Sequence, residues 1–326
     1  LNQYDIIAVG ESLVDFVCRR SEGRLHMEGN PGGAPVNVLA MAAKLGCHTS
    51  VISKVGRDDF GDFLLSRIRE AGIDTKNMLQ SQDHPTTLAI VHLDAKGDRS
   101  FTFYRDRTAD VMLQTEELPL EEICRTKILH FGSVSLTCEP SRSATFAAVK
   151  AAKAAGACIS FDPNLRTLLW NNLQTAKEMI LTSLELADFV KVSDEELQFL
   201  TEESTIESGI ERLFPAYPMR LLAVTLGPKG CVCRTEAGSF SAYTFETHCV
   251  DTTGAGDAFW GASLAWLIEN GLNPENYGAG QMSGLLDFAN AAGSLATTRT
   301  GGIPAMPDRN EIESCMATVP RLVNFK

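Results

Sequence analysis

Asp251-Thr-Thr-Gly-Ala-Gly-Asp257 ends on a carboxylate and runs straight into Ala258 to Asn270, an apolar stretch that reads as a helix. Gly254 and Gly256 carry no side chains, so the backbone there can turn tightly and leave its N–H groups facing a ligand. The positive end of the helix dipole adds to them, and together they make an anion site the size of a phosphate. An aspartate is out of place if that site only holds an anion. It has a task if Asp257 takes a proton from an attacking hydroxyl while Gly254, Ala255 and Gly256 hold the phosphoryl charge. The chemistry implied is phosphoryl transfer to an alcohol. The bland alternative is a tight connection whose Asp257 merely favours the dipole. That dipole is expected to make Asp257 a weaker base, which a loose transition state tolerates because position then matters more than basicity. No Lys follows the glycines as in a Walker A loop, and Gly254-Ala-Gly256-Asp-Ala-Phe-Trp-Gly261 departs from a dinucleotide fingerprint.

A second constellation is Pro31-Gly-Gly-Ala-Pro-Val-Asn37, at the start of a helix with Pro35 near its first position. Gly32 and Gly33 let backbone approach a ligand closely, and Asn37, about a turn in, offers an amide to a hydroxyl. Otherwise Asn37 sits on a solvated face.

The elements that must position these residues alternate. Short β-branched runs (Ile6 to Val9, Ser50 to Lys54, Ile128 to Phe131, Cys158 to Phe161, Phe189 to Val192, Leu221 to Thr225) are interleaved with helical patterns (Val36 to Leu45, Phe60 to Ala71, Ser141 to Ala155, Leu173 to Leu186, from Asp194, and Met282 to Thr297). A doubly wound α/β domain with a mainly parallel sheet follows. Leu13 to Asn30 and Thr86 to Tyr104 break the alternation, the second as two strands joined at Asp94-Ala-Lys-Gly-Asp98. Residues 13–33 and 85–107 are expected to form a small β-sheet lid over the strand ends, within one domain spanning 1–326.

At 326 residues and 44% hydrophobic the chain can bury a full core, and a net charge of -12 argues against a nucleic-acid or membrane-surface partner. Small-molecule partners are expected instead. Nine irregularly spaced cysteines read as reduced, mostly buried thiols in a cytoplasmic protein, and no run approaches ~18 apolar residues. His248 and Cys249 alone cannot form a tetrahedral metal site. Phe259, Trp260 and Trp266 read as helix-packing residues.

Gly32-Gly33-Ala-Pro-Val-Asn37 and Asp251-Thr-Thr-Gly-Ala-Gly-Asp257, in this order and separation, resemble the two signatures of the ribokinase, or PfkB, carbohydrate kinases. The likeness covers essentially the whole chain. It implies the ribokinase-like three-layer α/β/α fold with a small β lid, and an ATP-dependent sugar kinase. Phe103-Tyr104-Arg105 followed by Ala109-Asp110, His130-Phe-Gly-Ser133, Phe161-Asp-Pro-Asn-Leu-Arg166, Lys191-Val-Ser-Asp-Glu-Glu196 and Thr225-Leu-Gly-Pro-Lys-Gly230 are most similar to the fructokinase subgroup.

The resemblance makes Asp257 the catalytic base and Gly254 to Gly256 the anion hole. Asp15, with Gly32, Gly33, Asn37 and Phe103, is implied to meet the sugar; the alternative is an exposed loop acid. Arg105 and Arg107, which strand alternation would put on one face, and Arg166 join them as hydroxyl or phosphate recognisers, or else Arg105 and Arg107 lie on a solvated lid face. Asn164, Lys191, Ser193, Thr225, Gly227, Gly230 and Asn290 are implied on the nucleotide side, with Asn290 against the adenine. Ser193 stands where the family usually has Asn, and with Glu196 it also makes a capping box. Glu196 is implied at a Mg2+ site, through water. A K+ loop is implied at Asp251 and Thr253 with carbonyls around Ala296, Arg299, Gly301 and Ala305.

The expected activity is fructokinase, phosphorylating the 6-hydroxyl of fructose. Competing readings are a kinase for 2-keto-3-deoxygluconate, ribose or aminoimidazole riboside, a silent sugar-binding regulator, and a dehydrogenase. The lid arginines keep an acidic sugar in view. An exposed lid edge further suggests a homodimer by strand addition.

Overall fold

In Tyr4–Val9 (β1), Ile6 and Ala8 point to one face and Ile7 and Val9 to the other, and all four are fully buried. A strand of a parallel sheet covered on both faces requires this. The computed structural model of the protein describes residues 4–21, 23–93 and 99–323. It sets β1 inside a ten-stranded sheet, with Ile6 and Ala8 in one hydrophobic cluster and Ile7 and Val9 in another on the opposite face.

The chain continues through β2 (Leu13–Ser21) and β3 (Arg24–Gly32) to helix α1 (Ala34–Lys44). Then come β4 (Thr49–Gly56), α2 (Asp59–Glu70), the short β5 (Ile73–Asp74) and β6 (Met78–Ser81), and β7 (Leu88–Leu93) and β8 (Arg99–Tyr104). A single turn, α3 (Leu120–Ile123), leads to β9 (Thr126–Gly132), α4 (Ser141–Ala154), β10 (Cys158–Asp162) and α5 (Leu173–Leu184). β11 (Phe189–Ser193), α6 (Asp194–Thr201), α7 (Ile206–Leu213), β12 (Leu221–Thr225), β13 (Cys231–Thr235) and β14 (Gly238–Ala242) follow. Three helices close the chain: α8 (Ala255–Glu269), α9 (Ala279–Ala296) and α10 (Arg309–Thr318).

The large sheet runs β14-β13-β12-β11-β10-β9-β1-β4-β5, with β6 also on β4. Its pairs are parallel except β12 with β13 and β13 with β14. Those two join through connections too short for a crossover, so they can only fold back. β1 lies where the order reverses: the chain leaves it towards β4 on one side and returns at β9 on the other. Ligands of open α/β sheets bind beyond the carboxyl ends of strands at such a point.

β3-β2-β7-β8 form a separate four-stranded sheet. The two strands expected within 86–104 are β7 and β8, and the join expected at Asp94 to Asp98 lies outside the described residues. Register aligns Asn30, Asp15, Ala89 and Phe103 in one row across this sheet.

Helix α8 is apolar all round because it is buried between α1 and α9. Gly261 permits the α1 contact, since a Cβ there would lie 2.5 Å from the Val38 carbonyl oxygen. Phe259, Trp260 and Trp266 pack in this layer, as expected.

Candidate active site

Asp257 lies within the first turn of α8, which begins three residues earlier than the apolar pattern indicated. Its carboxylate is buried and accepts from Asn37 Nδ2 at 2.8 Å and from Asn164 Nδ2 at 3.2 Å. Burial, helped by the nearby Asp162 carboxylate, pushes Asp257 up to about 6 against the pull of Asn37, Lys191 and Arg166. The weaker base expected from the dipole is thus corrected: desolvation wins. Asn37 is buried on the cleft side, not solvated. The Oδ1 atoms of Asn37 and Asn164 are buried and accept no hydrogen bond within the described protein.

Gly254 caps α8 in the left-handed region, φ 76°, with no side chain to take the helix's first N–H groups. Gly254 and Gly256 line the cleft. Ala255 does not, and its amide is bonded to the Thr252 carbonyl at 3.3 Å. A Cβ on Gly256 would lie 3.4 Å from Lys191 Nζ, so the ammonium sits against the glycine turn. Lys191 is paired with Asp162 at 2.7 Å, both side chains buried. Burial opposes its charge, yet Asp162, Glu196 and Asp257 raise its pKa and keep it an ammonium.

The four strand ends next to the switch point supply much of the remaining wall: Glu11 after β1, Val134 after β9, Asn164 and Arg166 after β10, and Lys191 with Ser193 on β11. The small sheet faces them with Leu13, Asp15, Val17 and Arg19, the period-2 face of β2, and with Phe103. A cleft of about 730 Å³ lies between. Burial pushes Asp15 up to about 6; Arg166 opposes the shift, and Asp257 and Asp251 add to it. Gly32 makes the room for that carboxylate, since a Cβ there would fall 2.1 Å from Asp15 Oδ2. Gly33 has φ 117°, where a Cβ would meet the Glu11 carbonyl oxygen at 2.4 Å.

Ser193 and Glu196 form the capping box reciprocally, at 3.1 and 2.8 Å, and Glu196 also accepts the Leu165 amide at 2.7 Å. Both residues line the cleft, so the box orients Glu196 there. No group of three or more His, Cys, Asp or Glu side chains arranged to hold a metal occurs among the described residues, and His248 and Cys249 are exposed. A Mg2+ ion would fit here with Glu196, water and phosphate oxygens as its ligands, a set that this ion accepts. Asp251 takes the Thr253 amide at 2.8 Å and the Gly301 amide at 3.0 Å, stitching residues 251–253 to 301 beside α8. Thr253 and Gly301 line the cleft, whereas Ala296, Arg299 and Ala305 do not; the Arg299 side chain pairs with Glu311.

Arg105, Arg107 and Asn290 also lie outside the cleft lining. β8 ends at Tyr104, so Arg105 and Arg107 share no strand face. Arg105 turns inward to Asp110 at 2.7 Å, Thr137 at 2.7 Å and the Val134 carbonyl at 3.1 Å, behind the cleft wall. Arg107 is exposed at φ 51° and away from the cleft. Asn290 is buried against Ala242 O at 3.3 Å and Cys231 Sγ at 3.4 Å, holding α9 to β13 and β14. Thr225 pairs in register with Ser193 at the cleft's edge; Gly227 and Gly230, at φ 56° and 100°, build the turn beside it. Gly230 is there for packing, since a Cβ would lie 2.0 Å from Ala242 O.

Sequence reasoning passed over Asp162 and Glu11. Both follow the apolar run of a central strand, which is the signal that could have found them.

A profile of the pfkB family carbohydrate kinase matches residues 3–309. The chain belongs to this family. It is 41% identical over 309 residues to a probable fructokinase-3 of Arabidopsis thaliana, covering 93% of this chain and 88% of that one. The fold is similar to that of a fructokinase with bound ATP from Xylella fastidiosa, with TM-score 0.89 and 32% identity over 96% and 98% of the two chains. It is also similar to a fructokinase double mutant from Vibrio cholerae O395 in its fructose, ADP and potassium ion bound form, with TM-score 0.86 and 33% identity over 97% and 99%.

Proposed function

We infer that this PfkB-family protein is an ATP-dependent fructokinase that phosphorylates the 6-hydroxyl of D-fructose. The observation that carries the reading is Asp257, held by Asn37 and Asn164 in the first turn of α8 and facing, in one cleft, the Asp15 row of the small sheet. The fructokinase relatives support the sugar.

The 6-hydroxyl oxygen attacks the γ-phosphorus of ATP, a new O–P bond forms, the bond to the β-phosphate oxygen breaks, and ADP leaves. Asp257 takes the hydroxyl proton. The Gly256 amide in the first turn of α8 and the Lys191 ammonium stabilise the charge of the migrating group. Asp15 and the free Asn37 and Asn164 oxygens accept from sugar hydroxyls. Glu196 holds Mg2+ through water, and the ion screens the phosphate charge. K+ beside Asp251 steadies the anion loop.

The two arginines that kept an acidic sugar in view lend it little, because Arg105 is paired with Asp110 and Arg107 does not line the cleft, although Arg166 does.

The small sheet is the lid of a single domain. Among the described residues neither of its edges, β3 and β8, pairs with a further strand, and β3 exposes Leu25 and Met27. A second copy adds there to form a homodimer, and a monomer mass by light scattering at working concentration contradicts that assembly. The protein is cytoplasmic, consistent with nine free cysteines. Four of them are buried, three half-buried and two, Cys124 and Cys249, exposed, fewer buried than expected. No helix among the described residues is long and apolar enough to cross a membrane.

The test is ADP release measured with fructose, ribose, 2-keto-3-deoxygluconate and aminoimidazole riboside, with and without K+. The highest kcat/KM is expected for fructose with K+ present. A higher value for another sugar overturns the assignment.

A further inference from the structure

The small sheet contains two antiparallel strand pairs, β2–β3 and β7–β8, and each is pinned at one end by a buried carboxylate. Glu11 precedes β2 and Ala34 follows β3; Glu11 Oε1 accepts the Ala34 amide at 3.0 Å. Thr87 precedes β7 and Arg105 follows β8; Asp110 takes the Thr87 hydroxyl on one oxygen and Arg105 Nε at 2.7 Å on the other. Thr108 adds its hydroxyl to Asp110 at 2.9 Å, and the Val14 amide donates to the Thr87 carbonyl at 3.1 Å, tying one base to the other. Arg105 then anchors the assembly to the large sheet through Thr137 and the Val134 carbonyl beyond β9. Glu11 is buried and feels both Arg105 and Asp110, and its Oε2 accepts no hydrogen bond.

We propose that Glu11, Thr87, Arg105 and Asp110 form one fixed hinge under the small sheet and are positioning residues for the sugar. Asp15 stands two residues into β2 from its pinned base and Phe103 two residues before Arg105, in the same register row. The hinge sets where that row meets the sugar. This rests on the fructokinase reading only for the identity of the substrate.

Asp110→Asn would leave the buried Arg105 charge without its partner, so the test uses Thr87→Val, which keeps shape and removes one hydroxyl. In the sugar-free protein, amide exchange of Leu88–Leu93 and Arg99–Tyr104 is expected to accelerate ~10-fold while that of β1, β9 and β10 is unchanged. The fructose KM is expected to rise roughly 5-fold with kcat and the ATP KM within about twofold, and Thr87→Ser to restore both readouts. Equal acceleration in both sheets, no acceleration, or faster exchange with an unchanged fructose KM overturns the proposal. Failure of fructose as a substrate removes only the kinetic arm; the exchange pattern still decides the hinge.

Discussion

At Asp257 two effects oppose each other, and their sizes decide the outcome. A helix N-terminus favours a carboxylate by roughly 0.3 to 1 kcal/mol, whereas a rise from 3.8 to about 6 reflects a larger net cost of charge, at about 1.4 kcal/mol per unit. Asp15 is displaced to the same value for the same reason. Asp257 must be ionised to take the hydroxyl proton, so kcat/KM for fructose is expected to rise with pH through about 6 and level off above it. A profile already flat from pH 5 contradicts this. The sign for stability is opposite: a raised native pKa gives stability that is full below the unfolded value and lost as pH rises through about 6. Asp257 itself was legible because its glycine turn is contiguous in sequence. Arg105 was not, because Asp110, Thr137 and Val134 are assembled around it only by the fold. The unsatisfied oxygens of Asn37, Asn164 and Glu11 are equally invisible in a string of letters.

Elements with strong periodicity were legible to within a few residues: Leu221–Thr225 and Ser141–Ala154 fall where the pattern put them. Two starts were late. α8 and α9 each begin three residues before their apolar runs, at Ala255 and Ala279, because glycine and small residues open them and carry no hydrophobic signal. The β13–β14 hairpin escaped notice; its strands are short, and β14 alternates half-buried and exposed positions at the sheet's edge. The α1–α8 crossing that carries Asn37 to Asp257 depends on Gly261. Gly261→Ala puts a methyl 2.5 Å from the Val38 carbonyl, and overpacking of this kind is expected to cost about 1 to 3 kcal/mol. Denaturant unfolding checks it. An unchanged midpoint means that the helices separate freely and do not fix the Asn37–Asp257 pair.

For the whole molecule, the alternation of strands and helices gave the doubly wound sheet, and the two breaks in it gave the second sheet. The cleft between them draws on residues from Glu11 to Gly302, so its shape follows from topology more than from any one motif. Net charge of -12 is consistent with small-molecule partners, and the cleft lining mixes Arg19, Arg166 and Lys191 with carboxylates. All of this converges on a single carboxylate. Asp257→Asn should bind fructose and ATP by calorimetry with affinities within about threefold of the parent while kcat falls by at least ~10²-fold, the lower range for loss of a general base. Near-parental turnover in that variant would contradict the account.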